Sequence, residues 1–279
     1  MKVAHLILTH KNPKQVERLI KALSHTAFDI YIHVDKKSDI EQFRYLADNK
    51  NIFFIEKRAK IYWAAYGTIQ ATINGFEEIL LKQYDYINVI SGQDFPLKSA
   101  DDIYQFFRDG AGKEFITCLS IEREWTEAQV RLKKYWLINK RIPGRHKLEN
   151  IINKILPERK FPLKDFIMVG RSNWFAITSD AAKYIMAFMK ENPKVVRFYK
   201  NTWGADECIF STILYNSDFK NNIEENLVYT DWSEQKAHPK IFTANDYNAL
   251  ISSGKVFARK FDIAVDGKII NMLENFVAK

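Results

Sequence analysis

The chain has 279 residues, of which 47% are hydrophobic and 14% aromatic, and its 42 basic and 34 acidic residues give a formal net charge of +8. A chain of this length and composition can bury most of its apolar surface, which excludes disorder, collagen and coiled coil as its main state. Two cysteines, Cys118 and Cys208, exclude a disulfide framework, and the basic surplus favours a ligand that carries phosphate or another polyanion.

The N-terminal residues contain only a short apolar stretch. Residues 3–8 are interrupted by His5 and followed by Lys11 and Pro13, and no run of 18 apolar residues occurs anywhere. The stretch is too short for the apolar region of a signal peptide or for a membrane span. The sequence therefore predicts a soluble, cytoplasmic protein, and its basic charge leaves open a peripheral association with the inner face of a membrane.

The first part of the chain alternates apolar runs with amphipathic helical patterns. A helix is predicted to begin at Pro13 with Asn12 as its cap, and another to occupy residues 66–81. Strands are predicted at residues 3–8, 30–34, 52–55 and 86–90. This order predicts an α/β fold, with a Rossmann-like, mostly parallel central sheet and helices on both faces.

The pattern continues with a helix at residues 99–108, capped by Ser99, and a strand at 115–119. Further helices are predicted after Ser179 as a cap, near Asp206, and at 269–276. Residues 120–165 differ, because many lysines and arginines are interleaved with aromatic residues there. No repeat or linker divides the chain, so we predict a single domain over residues 1–279 with a basic, aromatic insert at about 120–165.

Polar residues follow the predicted parallel strands where each strand ends. Ligands of such sheets bind outside the carboxyl ends of the strands, which makes these residues the first candidates for a site. They are His10, Asp35 in His33-Val34-Asp35, and Gln93 and Asp94 in Ser91-Gly92-Gln93-Asp94-Phe95-Pro96. Asp35 could accept hydrogen bonds from a ribose or a base, and Gly92 permits a close approach of the backbone. An ordinary turn explains each motif as well.

Two acidic residues, Asp206 and Glu207, open a predicted helix directly after Trp203-Gly204. The macrodipole of a helix keeps a carboxylate at its N-terminus ionised and able to accept a proton. Acids in the first helical turn are also common for stability alone. The pair is therefore a candidate for general base catalysis, with helix capping as the alternative.

Cations near the C-terminus are the candidates for binding phosphate. Arg259 and Lys260 lie between Phe257 and Phe261, a partly buried setting in which charges attract a diphosphate more strongly than on an open surface. Lys240 adds a cation nearby in sequence. The alternative is solvated charges whose stems cover apolar surface.

Several motifs of phosphate chemistry are absent from the sequence. No two of its seventeen aspartates are separated by a single residue, so it has no Asp-x-Asp, and it has no P-loop or GxGxxG. If phosphates bind here, side-chain cations rather than Mg²⁺ must neutralise them.

Six motifs follow one another along the chain. They are His33-Val34-Asp35, Ser91-Gly92-Gln93-Asp94-Phe95-Pro96-Leu97, Gly170-Arg171-Ser172-Asn173-Trp174-Phe175, Asp206-Glu207, Asp231-Trp232-Ser233 and Phe257-Ala258-Arg259-Lys260-Phe261-Asp262. In this order they resemble the motifs of the core-2/I-branching N-acetylglucosaminyltransferase and peptide xylosyltransferase family, in a bacterial-type member. The resemblance implies a GT-A-type fold and an inverting transfer from a UDP-sugar that needs no metal.

The resemblance also implies roles for individual residues. Glu207 corresponds to the base that takes the proton of the acceptor hydroxyl, and Trp232 to an aromatic residue that stacks on the acceptor sugar. Glu122, with Arg131 or Lys134, corresponds to polar acceptor contacts. The residues implied at the UDP are His10, Asp35, Lys240, Arg259 and Lys260, and those implied at the donor sugar or acceptor are Gln93, Asp94, Trp174 and Asp206.

The expected function is a metal-independent glycosyltransferase that moves GlcNAc or xylose from a UDP-sugar to a hydroxyl of a glycan or lipid-linked glycan, in bacterial surface polysaccharide synthesis. The UDP-sugar is a substrate, no cofactor is expected, and no nucleic acid is expected as a partner. Three alternatives stay open at this point: a non-catalytic carbohydrate-binding protein, a nucleic-acid-binding module that uses residues 123–147, and a glycoside hydrolase.

Overall fold

A computed structural model describes residues 1–48, 50–140 and 142–278, and Arg141 of the basic insert lies outside the described residues. The strands in these ranges are β1 Val3–Thr9, β2 Phe28–Val34, β3 Ile52–Phe54, β4 Tyr86–Ser91, β5 Asp94–Pro96, β6 Glu114–Phe115, β7 Leu119–Ser120, β8 Val169–Gly170, β9 Phe175–Thr178, β10 Ile223–Glu224, β11 Val228–Thr230 and β12 Phe257–Arg259. The α-helices are α1 Pro13–Ala22, α2 Gly67–Ile79, α3 Ala100–Asp109, α4 Gln129–Lys133, α5 Arg145–Ile155, α6 Ser179–Glu191, α7 Pro193–Lys200, α8 Ile209–Tyr215, α9 Tyr247–Ile251 and α10 Lys268–Val277.

A seven-stranded sheet in the order β10-β6-β9-β4-β1-β2-β3 forms the centre of the fold. Neighbouring strands are parallel except at β9, which is antiparallel to both β4 and β6. Two smaller sheets accompany it, β11-β12-β5 and β7-β8. The mostly parallel α/β sheet that the alternating sequence pattern predicts is therefore confirmed.

Both faces of the central sheet are covered by helices. Successive residues of β1 point to opposite faces, and all seven are buried. Val3 and Ile7 pack in one apolar cluster with residues of α1, α3 and α10, whereas Leu6 packs in a second cluster with residues of α2, α6 and α8. Burial on both faces explains why the sequences of β1 and β4 are mostly apolar rather than alternating between apolar and polar residues.

Three local predictions differ from the structure. Asn12 precedes α1 as expected, but its backbone is left-handed and its side-chain amide donates to Asp262 instead of capping the helix. Thr178, not Ser179, caps α6, because the Thr178 hydroxyl accepts the Ala181 N–H. The predicted strand at 115–119 is divided between β6 in the central sheet and β7 in the two-stranded sheet.

The three-stranded sheet β11-β12-β5 brings the C-terminal part of the chain next to the end of β4 in the central sheet. β12 pairs antiparallel with β5 and parallel with β11, and the register places Arg259 opposite Asp94. Lys260 follows directly. Two segments that are 165 residues apart in sequence thereby meet at the carboxyl end of β4.

None of the helices in the described ranges combines the length and the apolar character that crossing a membrane requires.

Glu114 in β6 makes the stability of the fold depend on pH. Its carboxylate accepts the Thr178 N–H at 2.8 Å and the Thr178 hydroxyl at 2.7 Å, and burial raises the pKa of Glu114 from 4.5 to about 7. The folded state therefore holds a proton that the unfolded chain releases above pH 4.5. The stabilising contribution of this group is complete below that pH and is lost as the pH rises through 7.

Glu114→Gln removes this titration: its amide oxygen can accept the Thr178 N–H, and its NH2 group can donate to the Thr178 hydroxyl oxygen, which reverses the second hydrogen bond. We expect the variant to lose about 3 kcal/mol of the pH dependence of the unfolding free energy across this window, since each pKa unit corresponds to about 1.4 kcal/mol. Urea unfolding of both proteins on the two sides of the window measures the difference. An unchanged pH dependence in the variant would contradict the assignment.

Candidate functional site

The carboxyl ends of β1, β2 and β4 meet the segment that follows β12. The Asp35 N–H donates to the Thr9 carbonyl at 2.8 Å, and the Phe261 N–H donates to the Gln93 carbonyl at 2.8 Å. Gln15, buried on α1, donates its side-chain amide to the Phe261 carbonyl at 3.0 Å. These bonds bring together strand ends that are distant in sequence, at the edge where a parallel sheet binds its ligands.

Gly92 permits a close approach to its backbone, as its position in the sequence predicts. The groups that approach it are side chains of this protein rather than a ligand. A Cβ at this position would lie 2.6 Å from Thr9 Oγ1 and 3.0 Å from a methyl group of Val16. Only glycine leaves room for the end of β4 to pack against β1 and α1. Gln93 is buried beside it, and its side-chain amide donates to the Phe261 carbonyl at 3.3 Å.

Asp94, Arg259 and Trp174 form one buried unit. The Arg259 guanidinium lies 4.1 Å from the centroid of the Trp174 ring, and its Nε lies 3.6 Å from Asp94 Oδ1. Burial raises the pKa of Asp94 to about 6, although Arg259 opposes the shift. Among the described residues, Arg259 Nε and Nη1 and Asp94 Oδ1 have no hydrogen-bond partner. The unit therefore contains buried donors and an acceptor with which a ligand could form hydrogen bonds.

Lys260 lies next to this unit in a cluster of positive charge. Burial, and then the charges of Arg259 and Lys11, lower the pKa of Lys260. Burial, Lys11 and Lys260 also lower the pKa of His10 below 6.5. The carboxylates that act on Lys260 are engaged by other cations, since Asp262 binds Lys11 at 2.6 Å and Asp94 faces Arg259. An anion at this position would be attracted by charge that the protein leaves uncompensated.

Asp35 stabilises a tight turn with its carboxylate. One of its oxygens accepts the N–H groups of Lys37 at 2.9 Å and Ile61 at 3.2 Å, and the other lies 3.2 Å from the Lys37 ammonium. The side chain is 3% exposed. The turn interpretation that the sequence left open thus describes Asp35 in this structure.

The backbones of Lys240 and Lys260 are adjacent, because the Lys260 N–H donates to the Lys240 carbonyl at 3.4 Å. Its ammonium, however, binds Asp246 at 2.6 Å. The predicted contact of Lys240 with a diphosphate would require this ion pair to open, which makes Lys260 the better placed cation.

Glu207 ends a 3-10 turn over Ala205–Glu207 that begins at Gly204, whose φ is +63°. The Glu207 Oε2 lies 2.5 Å from Arg131 Nη1, and the side chain of Glu207 is 30% exposed. Arg131 is held in turn by two indole rings, with centroids at 4.4 Å for Trp203 and 4.9 Å for Trp125. The carboxylate is therefore positioned by a rigid partner and remains open to solvent.

Asp206, the neighbour of Glu207, has a different electrostatic environment. Burial, and then the charge of Glu207, raise the pKa of Asp206 from 3.8 to about 7. The Arg171 N–H donates to the Glu207 carbonyl at 2.9 Å, and Trp174, three residues further on, contacts Arg259, so this segment joins the two halves of the site. A Cβ on Gly170 would lie 2.3 Å from the Glu207 carbonyl, which accounts for glycine at the start of the Gly170–Phe175 motif.

Three predicted acceptor residues lie at the surface of the protein. The side chain of Trp232 is 46% exposed, and Glu122 and Lys134 are exposed as well. Glu122 and Lys134 accept hydrogen bonds only through their backbone carbonyls in the described part of the chain, from Gln129 and Arg159 respectively. Of the two cations that the sequence offered here, Arg131 is the one that reaches Glu207.

An exposed tryptophan beside Glu207 was not predicted from the sequence. Trp63 is 67% exposed, and its ring packs edge-on against Trp203 with 5.0 Å between centroids. The Gly204 N–H donates to the Ala64 carbonyl at 2.9 Å and ties the two loops together. No helical or strand period marks Trp63, and its neighbours Tyr62 and Ala64 do not set it apart in the sequence. In the described ranges, no three His, Cys, Asp or Glu side chains are grouped as metal ligands.

Comparison with curated proteins finds similar chains among xylosyltransferases. Xylosyltransferase 2 of Rattus norvegicus is 24% identical over 307 residues, which cover 98% of this chain and 33% of that protein. Xylosyltransferase oxt of Drosophila pseudoobscura pseudoobscura is 23% identical over 290 residues, with coverages of 95% and 32%. The chain thus spans about a third of the length of these relatives.

Among solved structures, mouse xyloside xylosyltransferase 1 in its apo form has a TM-score of 0.40 at 10% identity, with 92% of this chain and 96% of that one covered. Core-mannan synthase A of Aspergillus fumigatus in a Mn/GDP form has a TM-score of 0.43 at 12% identity, with coverages of 81% and 72%. The profile of the Core-2/I-Branching enzyme family matches residues 3–251, a range that includes Glu207 and ends before Lys260. The predicted resemblance is confirmed, and the chain belongs to the Core-2/I-Branching enzyme family.

Proposed function

We propose that this protein is an inverting glycosyltransferase of GT-A type that transfers a sugar from a UDP-sugar to a hydroxyl of a glycan. The observation that carries the proposal is that one segment, Gly170–Phe175, contacts the backbone of Glu207, whose carboxylate is accessible, and through Trp174 contacts Arg259, the neighbour of Lys260. A single displacement needs a base for the acceptor on one side of the anomeric carbon and positive charge for the leaving diphosphate on the other. Membership of the family supports the same reaction.

The reaction follows from these positions. Glu207 accepts the proton of the acceptor hydroxyl as its oxygen bonds to the anomeric carbon of the donor. The bond from that carbon to the diphosphate oxygen breaks in the same step, and the electron pair leaves with UDP. Lys260, together with the unpartnered N–H groups of Arg259, stabilises the charge that develops there.

We propose further that the transfer needs no divalent metal. The sequence has no Asp-x-Asp, and Lys11 and Lys260 place positive charge at the end of β1, where a diphosphate would bind. The donor sugar we propose is xylose or GlcNAc. Transfer of xylose is named in several of the related proteins, whereas GlcNAc comes from the resemblance between the sequence motifs.

The acceptor of the proposed reaction is a glycan, such as a lipid-linked intermediate of surface polysaccharide synthesis. The apolar face of a pyranose ring can stack on an exposed aromatic ring, and Trp63 and Trp203 offer such a surface beside Glu207. Arg131 joins this surface to the carboxylate, because it contacts both Trp203 and Glu207.

The test is a thermal-shift series with UDP, GDP and CMP, each in excess EDTA, followed by mass spectrometry of products formed from UDP-sugars. A ligand at a hundred times its Kd stabilises the folded state by about 2.7 kcal/mol, which raises the Tm of a chain of this size by several degrees. We expect this shift with UDP alone. A parallel series with Mn²⁺ in place of EDTA separates the two claims: absence of a UDP shift in both series would refute the donor, and a UDP shift seen only with Mn²⁺ would refute the metal-free reaction alone.

A further inference from the structure

Helix α5 is attached to the protein by its polar side. Glu149 is 5% exposed, and its carboxylate accepts the Leu137 N–H at 2.8 Å. Asn153, one turn further on, accepts the Tyr135 N–H at 2.7 Å and donates to the Tyr135 carbonyl at 2.9 Å. A surface helix of a globular protein normally turns its apolar side inwards, so this arrangement is inverted.

The apolar side of α5 faces solvent. Leu148, Ile151 and Ile155 are 40%, 53% and 75% exposed, and their spacing places them on one face of the helix. Ile142 and Leu156, at the two ends, are 44% and 46% exposed. Exposed apolar residues are unremarkable when scattered, but three on one face of a helix, with two more at its ends, mark a surface for interaction.

Positive charge surrounds this apolar face. Lys147 and Lys154, seven residues apart, lie along one border of the stripe, and both are exposed. The exposed lysines that flank the helix in sequence are Lys140, Lys160 and Lys164. The acidic residue within α5 does not offset them at the surface, because Glu149 is buried between Arg145 at 3.5 Å and His146 at 3.2 Å.

We propose that α5 lies in the interface of an anionic phospholipid bilayer, with its apolar face among the acyl chains and its lysines at the headgroups. An apolar stripe bordered by Lys and Arg is the pattern of helices that bind at such interfaces, and each lysine near an anionic surface adds about 1 kcal/mol. A second copy of the chain is the weaker occupant, because a symmetric contact through α5 would bring Lys147 and Lys154 towards their own copies.

The test measures co-sedimentation of the full-length protein with phosphatidylcholine vesicles, with and without phosphatidylglycerol. We expect binding only when phosphatidylglycerol is present, weakened by salt, and a loss of at least about tenfold in Ile151→Glu, because a charge replaces an apolar contact. Leu81→Glu is the matched control, since Leu81 is 83% exposed after α2, and it should bind as the wild type does.

Thermal unfolding of each variant shows that the fold is intact, and this readout does not depend on the identity of the donor. Failure of the wild-type protein to bind anionic vesicles, or wild-type binding by Ile151→Glu, would overturn the proposal. A dimer that dissociates in Ile151→Glu would overturn it in favour of a second copy.

Discussion

Replacing Glu207 by glutamine is expected to lower kcat for sugar transfer by about 10² or more and to leave the affinity for UDP unchanged. The amide keeps the size of the side chain and an oxygen that can still contact Arg131, but it cannot take the proton of an acceptor hydroxyl. Initial rates at saturating UDP-sugar, together with calorimetric titration of UDP, separate turnover from binding.

Glu127→Gln is the matched control for this experiment. Glu127 also forms an ion pair with an arginine, Arg171 at 2.9 Å, but its side chain is 62% exposed and is not part of the proposed reaction. Its variant should keep the wild-type kcat. A near-normal kcat in Glu207→Gln would contradict the assignment, and loss of transfer in Asp206→Asn alone would assign the base to Asp206 instead.

The second large effect is expected for Lys260→Met. Methionine can fill the partly buried position but carries no charge, so the departing diphosphate loses a preorganised cation, and kcat falls by about 10². UDP affinity should fall as well, because the carboxylates near Lys260 are already engaged by Lys11 and Arg259 and the charge of Lys260 is left for the ligand.

Stability measurements distinguish this effect from damage to the fold. Burial disfavours the charged form of Lys260, so methionine should leave Tm unchanged or raise it. Lys14→Met, at an exposed lysine of α1 that pairs with Glu17, controls for the loss of one positive charge. Wild-type turnover and UDP affinity in Lys260→Met would refute the role of this residue.

The central sheet could be predicted from sequence because its strands are buried on both faces, and such strands stand out as mostly apolar runs, broken in β1 only by His5 and in β4 only by Asn88 before each strand ends. Helix α7 was not predicted, although its signals are local. Pro193 opens it, and Val195, Phe198 and Tyr199 are buried at helical spacing. The start of α6 was displaced by one residue because Thr178 and Ser179 can both cap a helix, and only the backbone geometry decides between them.

The candidate site was predictable where motifs carry local chemistry and not where it depends on pairing over long distances. Asp94 and Arg259 were each predicted, but their contact follows from the register of β5 and β12. The choice of Arg131 over Lys134 depends on two tryptophans that hold its guanidinium. The ion pair between Lys240 and Asp246 could not be predicted, because the motif that singled out Lys240 does not include Asp246.

The pairing of β12 with β5 also sets the order in which this protein matures. Synthesis delivers β5 early and β12 late, with more than half of the chain between them. A nascent chain can therefore have completed the strands of the central sheet before Arg259 and Lys260 reach the carboxyl end of β4. Under the proposed function, the ability to bind UDP arises only after β12 has paired with β5, so UDP binding reports that both strands are in place.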